Sequence, residues 1–203
     1  VTTVERAIVM LGLAPFFRLA GEVATVEDHL RDNPEAHAGL IRVLRRSQRA
    51  ARFACDLAVW RNDVNAEEIV LAALLHDLAE ILLWCFAPAL ILRMRALQAA
   101  APALRSAAVQ REVLHVELNE LQVALAQHWR LPALLVEMMD DHHAETPRVR
   151  NVALAASLAR HSAKSWHNAA LPDDFRAIAA LLSVTPAKAR AIVDAPPEES
   201  AAP

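Results

Sequence analysis

Apolar residues recur at three- and four-residue spacing along most of this chain, the period of helices that bury one face. A first helix is predicted over 3–20, with Val4, Ile8, Leu11 and Leu13 on its apolar side and a kink near Pro15. A short helix over 26–31 follows. Asn33-Pro34 then breaks the chain, with Pro34 suited to the first turn of a new helix. That helix, over 35–60, is amphipathic. Arg42, Arg45, Arg49, Arg52 and Asp56 share one face, read as solvated, while Leu40, Leu44, Ser47, Ala51, Ala54 and Ala58 share the other. Asn62 to Asn65 reads as a turn, with Asn65 as N-cap and Glu67 and Glu68 favourably placed in the next first turn. The helix over 66–86 is apolar all round, which marks it as the central buried element, and Pro88 ends it. Helices over 88–99, 105–114, 117–129, 132–143, 148–166, 173–182 and 186–194 complete the pattern. A single domain is expected over 1–194, with a disordered Pro-, Glu- and Ala-rich tail over 195–203.

Composition supports an all-α reading. The 203 residues are 55% hydrophobic but only 4% aromatic, with three glycines and no tyrosine, a poor stock for sheets and tight turns. Net charge is −3, so no global field attracts nucleic acid. The arginines at 42, 45, 46, 49 and 52 have only Phe53 as an aromatic neighbour, which favours a solvated face over a phosphate-binding one. Cys55 and Cys85 lie in apolar helical runs and read as two buried thiols of an intracellular protein, not as a disulfide framework. The stretch 69–86 is long enough to span a bilayer, but His76, Asp77 and Glu80 sit at its centre, where charged groups are costly; a buried core helix is expected, with no membrane partner. The opening residues do not read as a secretory signal, and the chain begins at Val1, as a fragment or a processed product would.

The sharpest chemical feature is ALLHDLAEILL at 73–83, three ionisable groups in an otherwise apolar helix. Burying such groups is costly unless they pair or bind a metal. The imidazole of His76 and the carboxylate of Asp77 both suit a divalent transition metal, and Glu80 lies one turn away. A hydrogen-bonded pair that only fixes helix packing fits the same residues equally well. A second candidate is Asp140-Asp141-His142-His143 at a predicted helix end, where at most two consecutive side chains can face one ion. His115, His128, His161 and His167 are scattered and read as structural or solvent-facing. There is no Cys-x-x-Cys pair, Gly-rich phosphate loop or Gly-x-Ser-x-Gly motif.

Several pieces together resemble one family. VERAIVMLGL at 4–13, the His-Asp helix at 73–83, AQHWRLP at 126–132 and Asp141-His142-His143 follow the order and spacing of HDOD domains, the HD-related output domains of the HD superfamily. The resemblance spans most of 1–193 and implies an HD-domain-like helical bundle whose central buried helix carries His-Asp, without the family's N-terminal helices. It also implies which positions to compare with hydrolytic HD proteins, which use a His on an early helix, the His-Asp pair and a late Asp. Here the pair is His76 and Asp77. The early His falls at Arg46, or at Ser47 in a register one residue later, and the late Asp near Arg160. Arginine cannot be deprotonated and binds carboxylates in bidentate fashion, so Arg46 and Arg160 are expected to replace the metal's charge beside Asp77 and Glu80.

The resemblance therefore implies a non-catalytic regulatory or protein-interaction domain of bacterial signal transduction, cytoplasmic, with a degenerate metal site and no cofactor. Its partners would be signalling proteins, and its apolar first helix is compatible with a homodimer. The alternative is a metal-dependent phosphohydrolase acting on a nucleotide or cyclic dinucleotide, with a divalent metal on His76, Asp77, His142 and His143. A nucleic-acid-binding role for the arginine-rich helix is disfavoured.

Overall fold

A computed structural model describes residues 4–21, 23–101, 103–141 and 145–195, and among them it is helical with no strand. Thirteen helices run in order among these residues: α1 (Val4–Leu11), α2 (Leu13–Gly21), α3 (Val26–His29), α4 (Pro34–Trp60), α5 (Ala66–Leu75), α6 (Leu78–Phe86), α7 (Pro88–Ala100), α8 (Ser106–Leu114), α9 (Leu118–His128), α10 (Ala133–Met138), α11 (Pro147–His161), α12 (Leu171–Leu182) and α13 (Pro186–Ile192). They form two compact units, one of 1–45 with 77–136 and one of 46–76 with 137–203. The first part of α4 belongs to the former and the rest to the latter.

In the first unit the core forms around Trp84 of α6, which is wholly buried. Leu40 and Val43 of α4, Ile91 and Met94 of α7, and Val109 and Val113 of α8 pack into the same cluster. The helices meet closely because Gly39 has no side chain: a β-carbon there would come within 2.5 Å of the Trp84 ring. Helices α1 and α2 contribute little to this core. No residue of α2 is buried, and Val9, Met10, Leu13 and Phe17 are exposed.

In the second unit Phe53, Ala54 and Leu57 of α4 join Ile69 and Ala72 of α5 in a core with Val152, Ala155 and Leu158 of α11. Helices α12 and α13 close it with Phe175, Ile178 and Ala189. Thr146 and Thr185 accept from the third-residue amides of α11 and α13, as N-caps do, and Pro147 and Pro186 start those helices. Arginines of α4 reach the far ends of other helices. Arg49 donates to Ser162 O at 3.1 Å and to Ser162 Oγ at 2.5 Å, at the C-cap of α11. Arg52 donates to Val193 O, at the C-cap of α13, at 3.5 Å. Last-turn carbonyls lack helical partners, so a cation there supplies hydrogen bonds and complements the dipole. Arg49 is half-buried, its guanidinium near the rings of Phe53 and Trp166, so the solvated-face reading is corrected for this residue.

Other boundaries move from their predicted places. The first helix breaks at Gly12, which takes φ +80°, and not at Pro15, whose missing N–H falls in the first turn of α2 where no helical partner is needed. The helix predicted over 66–86 is interrupted at His76–Asp77. Helix α10 ends at Met138 and α11 at His161, each five residues before its predicted end. Nearly all of the predicted tail lies outside the described residues.

Candidate functional site

Two helix ends meet at the His-Asp pair. His76 closes α5, its amide reaching Ala73 O at 3.4 Å, and Asp77 takes φ −102° and ψ 20° before α6 begins. The polar residues that interrupt the apolar run are matched to this break. An imidazole stands at a helix C-terminus, while Asp77 and Glu80 stand at the following N-terminus, where carboxylates complement the dipole. The Asp77 side chain makes no capping hydrogen bond. The free amide of Ala79 in the first turn instead donates to Oε1 of buried Gln122 at 3.4 Å.

His76 has a defined partner. Its Nε2 lies 2.9 Å from Asp141 Oδ1, with the imidazole 5% exposed and the carboxylate 41% exposed. With the proton on Nε2, the ring donates to Asp141. The structure thus joins one residue from each of the two candidate clusters, although they are 65 positions apart. Asp77 and Glu80 are half-buried. Arg46 is half-buried on α4, and Arg160 is exposed in the last turn of α11, where its charge suits the helix dipole. His142 and His143 lie outside the described residues.

The hydrolytic members of the HD superfamily imply a divalent metal at this turn. Among the described residues, no group of three or more His, Cys, Asp or Glu side chains is arranged to hold one. The described donors therefore do not fit a metal centre.

A second His–carboxylate pair was not visible in the sequence. His161 Nδ1 lies 2.6 Å from Asp174 Oδ2, the carboxylate nearly buried and the ring 30% exposed. Asn168 donates to His161 O at 3.0 Å, holding the α11–α12 connection against this pair. The first turn of α12 brings Asp174 back to the end of α11, a geometry with no local signature in the chain.

Comparison with known proteins agrees with this architecture. A chain from Geobacter sulfurreducens, an HDOD domain protein with unknown function, superposes with a TM-score of 0.61 at 18% identity, over 93% of this chain and 68% of that one. A chain from Shewanella amazonensis SB2B named "Putative phosphohydrolase" gives a TM-score of 0.55 at 18% identity, over 87% of this chain and 73% of that one. At such identities both likenesses show the fold alone. No protein of curated function matches the chain significantly. The family model of the HDOD domain matches residues 1–145, which is well over half of the chain. With that match and the helical fold, this chain belongs to the HDOD domain family.

Proposed function

We propose that the chain is a non-catalytic regulatory or protein-interaction domain of bacterial signal transduction, working in the cytoplasm with a degenerate HD metal site. The observation that carries this reading is the donor set. His76 engages a carboxylate from another helix end, and the described residues offer no third donor grouped to complete a metal centre. On the resemblance, the two other ligand positions of hydrolytic relatives fall at Arg46, or at buried Ser47 one residue later, and near Arg160, none of which is a usual ligand. Arginine charge then stands in for the metal's. Arg46, half-buried, carries most of that role, because Arg160 faces solvent. No cofactor is required, and the partners are signalling proteins or a second copy of the chain.

The second reading is a metal-dependent phosphohydrolase, favoured by the name of the Shewanella neighbour. Metal analysis of the full chain after incubation with Mn²⁺, together with hydrolysis of bis-p-nitrophenyl phosphate, separates the two. The expected result is no ion retained through dialysis and no turnover. One retained ion per chain, lost in His76→Ala, with turnover of the ester, would reject the regulatory reading. Arg46→His restores one missing donor type on the half-buried side and is expected to gain metal affinity.

A further inference from the structure

His161 offers a chemistry that the His76 turn does not. It stands in the last turn of α11, with its Nδ1 2.6 Å from Asp174 Oδ2 in the first turn of α12. With the proton on Nδ1, the ring donates to a carboxylate that is 9% exposed, which fixes both its tautomer and its orientation. The other nitrogen, Nε2, then carries the lone pair. It makes no hydrogen bond among the described residues and is open to solvent. His76 is the reverse case, for its Nε2 is taken by Asp141 and its ring is 5% exposed.

The charges nearby suit an anionic electrophile. No Asp or Glu occurs from Pro147 to Pro172, whereas Arg160 and Lys164, both exposed, flank His161 in sequence. Asp174 is turned to Nδ1, and the neighbouring Asp173 pairs with Arg176. As a lone pair on Nε2 attacks, positive charge develops on the ring. The Asp174 carboxylate and the last-turn carbonyls of α11 both stabilise that charge. A metal ion would need further donors, and the described residues group none around it. An acyl group carries no charge for Arg160 and Lys164 to meet, whereas a phosphoryl group carries two.

We infer that His161 is a phosphoacceptor, taking a phosphoryl group on Nε2 from a phosphoramidate donor. The new N–P bond forms as the donor's N–P bond breaks. The electron pair of the broken bond leaves with the donor nitrogen, which takes up a proton from solvent, and no group is oxidised or reduced. The Nδ1 proton stays on the ring against Asp174, which acts as a positioning residue. Phosphohistidine is itself a phosphoramidate, so a phosphorylated histidine of another protein belongs to the donor class. That this donor is a signalling protein rests on the regulatory reading above; the reactivity of the ring does not.

The test is incubation of the full chain with potassium phosphoramidate near neutral pH, followed by peptide mapping under alkaline conditions that preserve phosphohistidine. His161 is expected to react at least tenfold faster than His115 and His128, which are exposed and have no carboxylate partner among the described residues. Phosphorus NMR is expected to show the Nε2 isomer. His161→Gln should remove the fast site. Asp174→Asn should slow His161 to the rate of the other two, and Asp174→Glu should recover part of the difference. Should Asp174→Asn unfold, the exposed double variant Arg160→Gln, Lys164→Gln provides a second probe, expected to slow His161 at least threefold at low salt. Equal rates at the three histidines, phosphorylation on Nδ1, or a folded Asp174→Asn chain as reactive as wild type would overturn the assignment. None of these results bears on metal retention at His76, so the two readings fail separately.

Discussion

Gly39 stands inside a long helix, where alanine is ordinarily better by about 1 kcal/mol. Here the Trp84 ring occupies the space a methyl group would need. Gly39→Ala is expected to destabilise the chain by about 1–3 kcal/mol, the usual cost of overpacking, as read from urea unfolding; a neutral or stabilising effect would mean that the ring can shift. Asp56 gives a prediction in pH. Burial pushes its carboxyl above the ordinary value, Arg52 opposes this and Asp194 adds to it. A value raised in the folded state means that the ionised group lowers stability at neutral pH, and that this loss is relieved as pH falls through the folded value. Asp56→Asn should therefore raise Tm near pH 7, and the gain should shrink in acid; an equal gain at both ends would contradict it. At this scale the sequence was partly legible. His76 and Asp77 stood out because charge is rare in an apolar run, and Asp141 because ligand types clustered around it. That Asp141 faces His76 depends on where α10 ends, and that Asp174 faces His161 depends on how α12 returns, neither of which has a local signal.

Helices were legible where proline or asparagine marks a boundary, as at Pro34, Asn65 and Pro88. They were less legible where a break is made by backbone freedom or by charge. Hydrophobic periodicity continues straight through Gly12 and His76–Asp77, and both interruptions escaped it. The 66–86 stretch also looked fully buried because it is apolar on every side, yet Leu74 and Phe86 are exposed. The arginines of α4 misled in the opposite direction. Regular spacing made one solvated stripe, whereas Arg49 and Arg52 tie their helix to the carbonyl ends of α11 and α13. Removing the Arg49 guanidinium by Arg49→Ala is expected to cost about 1.5–3 kcal/mol in urea unfolding, as for hydrogen bonds to charged groups. Arg49→Lys, which keeps the charge but loses the fork, should fall between; a cost near zero for Arg49→Ala would show that Ser162 needs no external donor.

For the whole molecule, fold class was the most legible property, because scarce glycine, absent tyrosine and pervasive helical spacing agree. Its division into two compact units was not, because α4 crosses the boundary without any turn residue to mark it. Local stability should be uneven. Helix α2 buries none of its residues, so amides of α1 and α2 are expected to exchange with deuterium well before those of α11 and α12; comparable protection would mean that another surface covers them. The distribution of sulfur makes such unevenness measurable without engineering. Cys85 belongs to the first unit and Cys55 to the second, both are half-buried thiols outside any disulfide, and burial keeps the Cys85 thiol protonated to higher pH than usual. A thiol-reactive dye followed by peptide mapping would therefore time the opening of each unit separately, with the wild-type chain carrying one reporter for each.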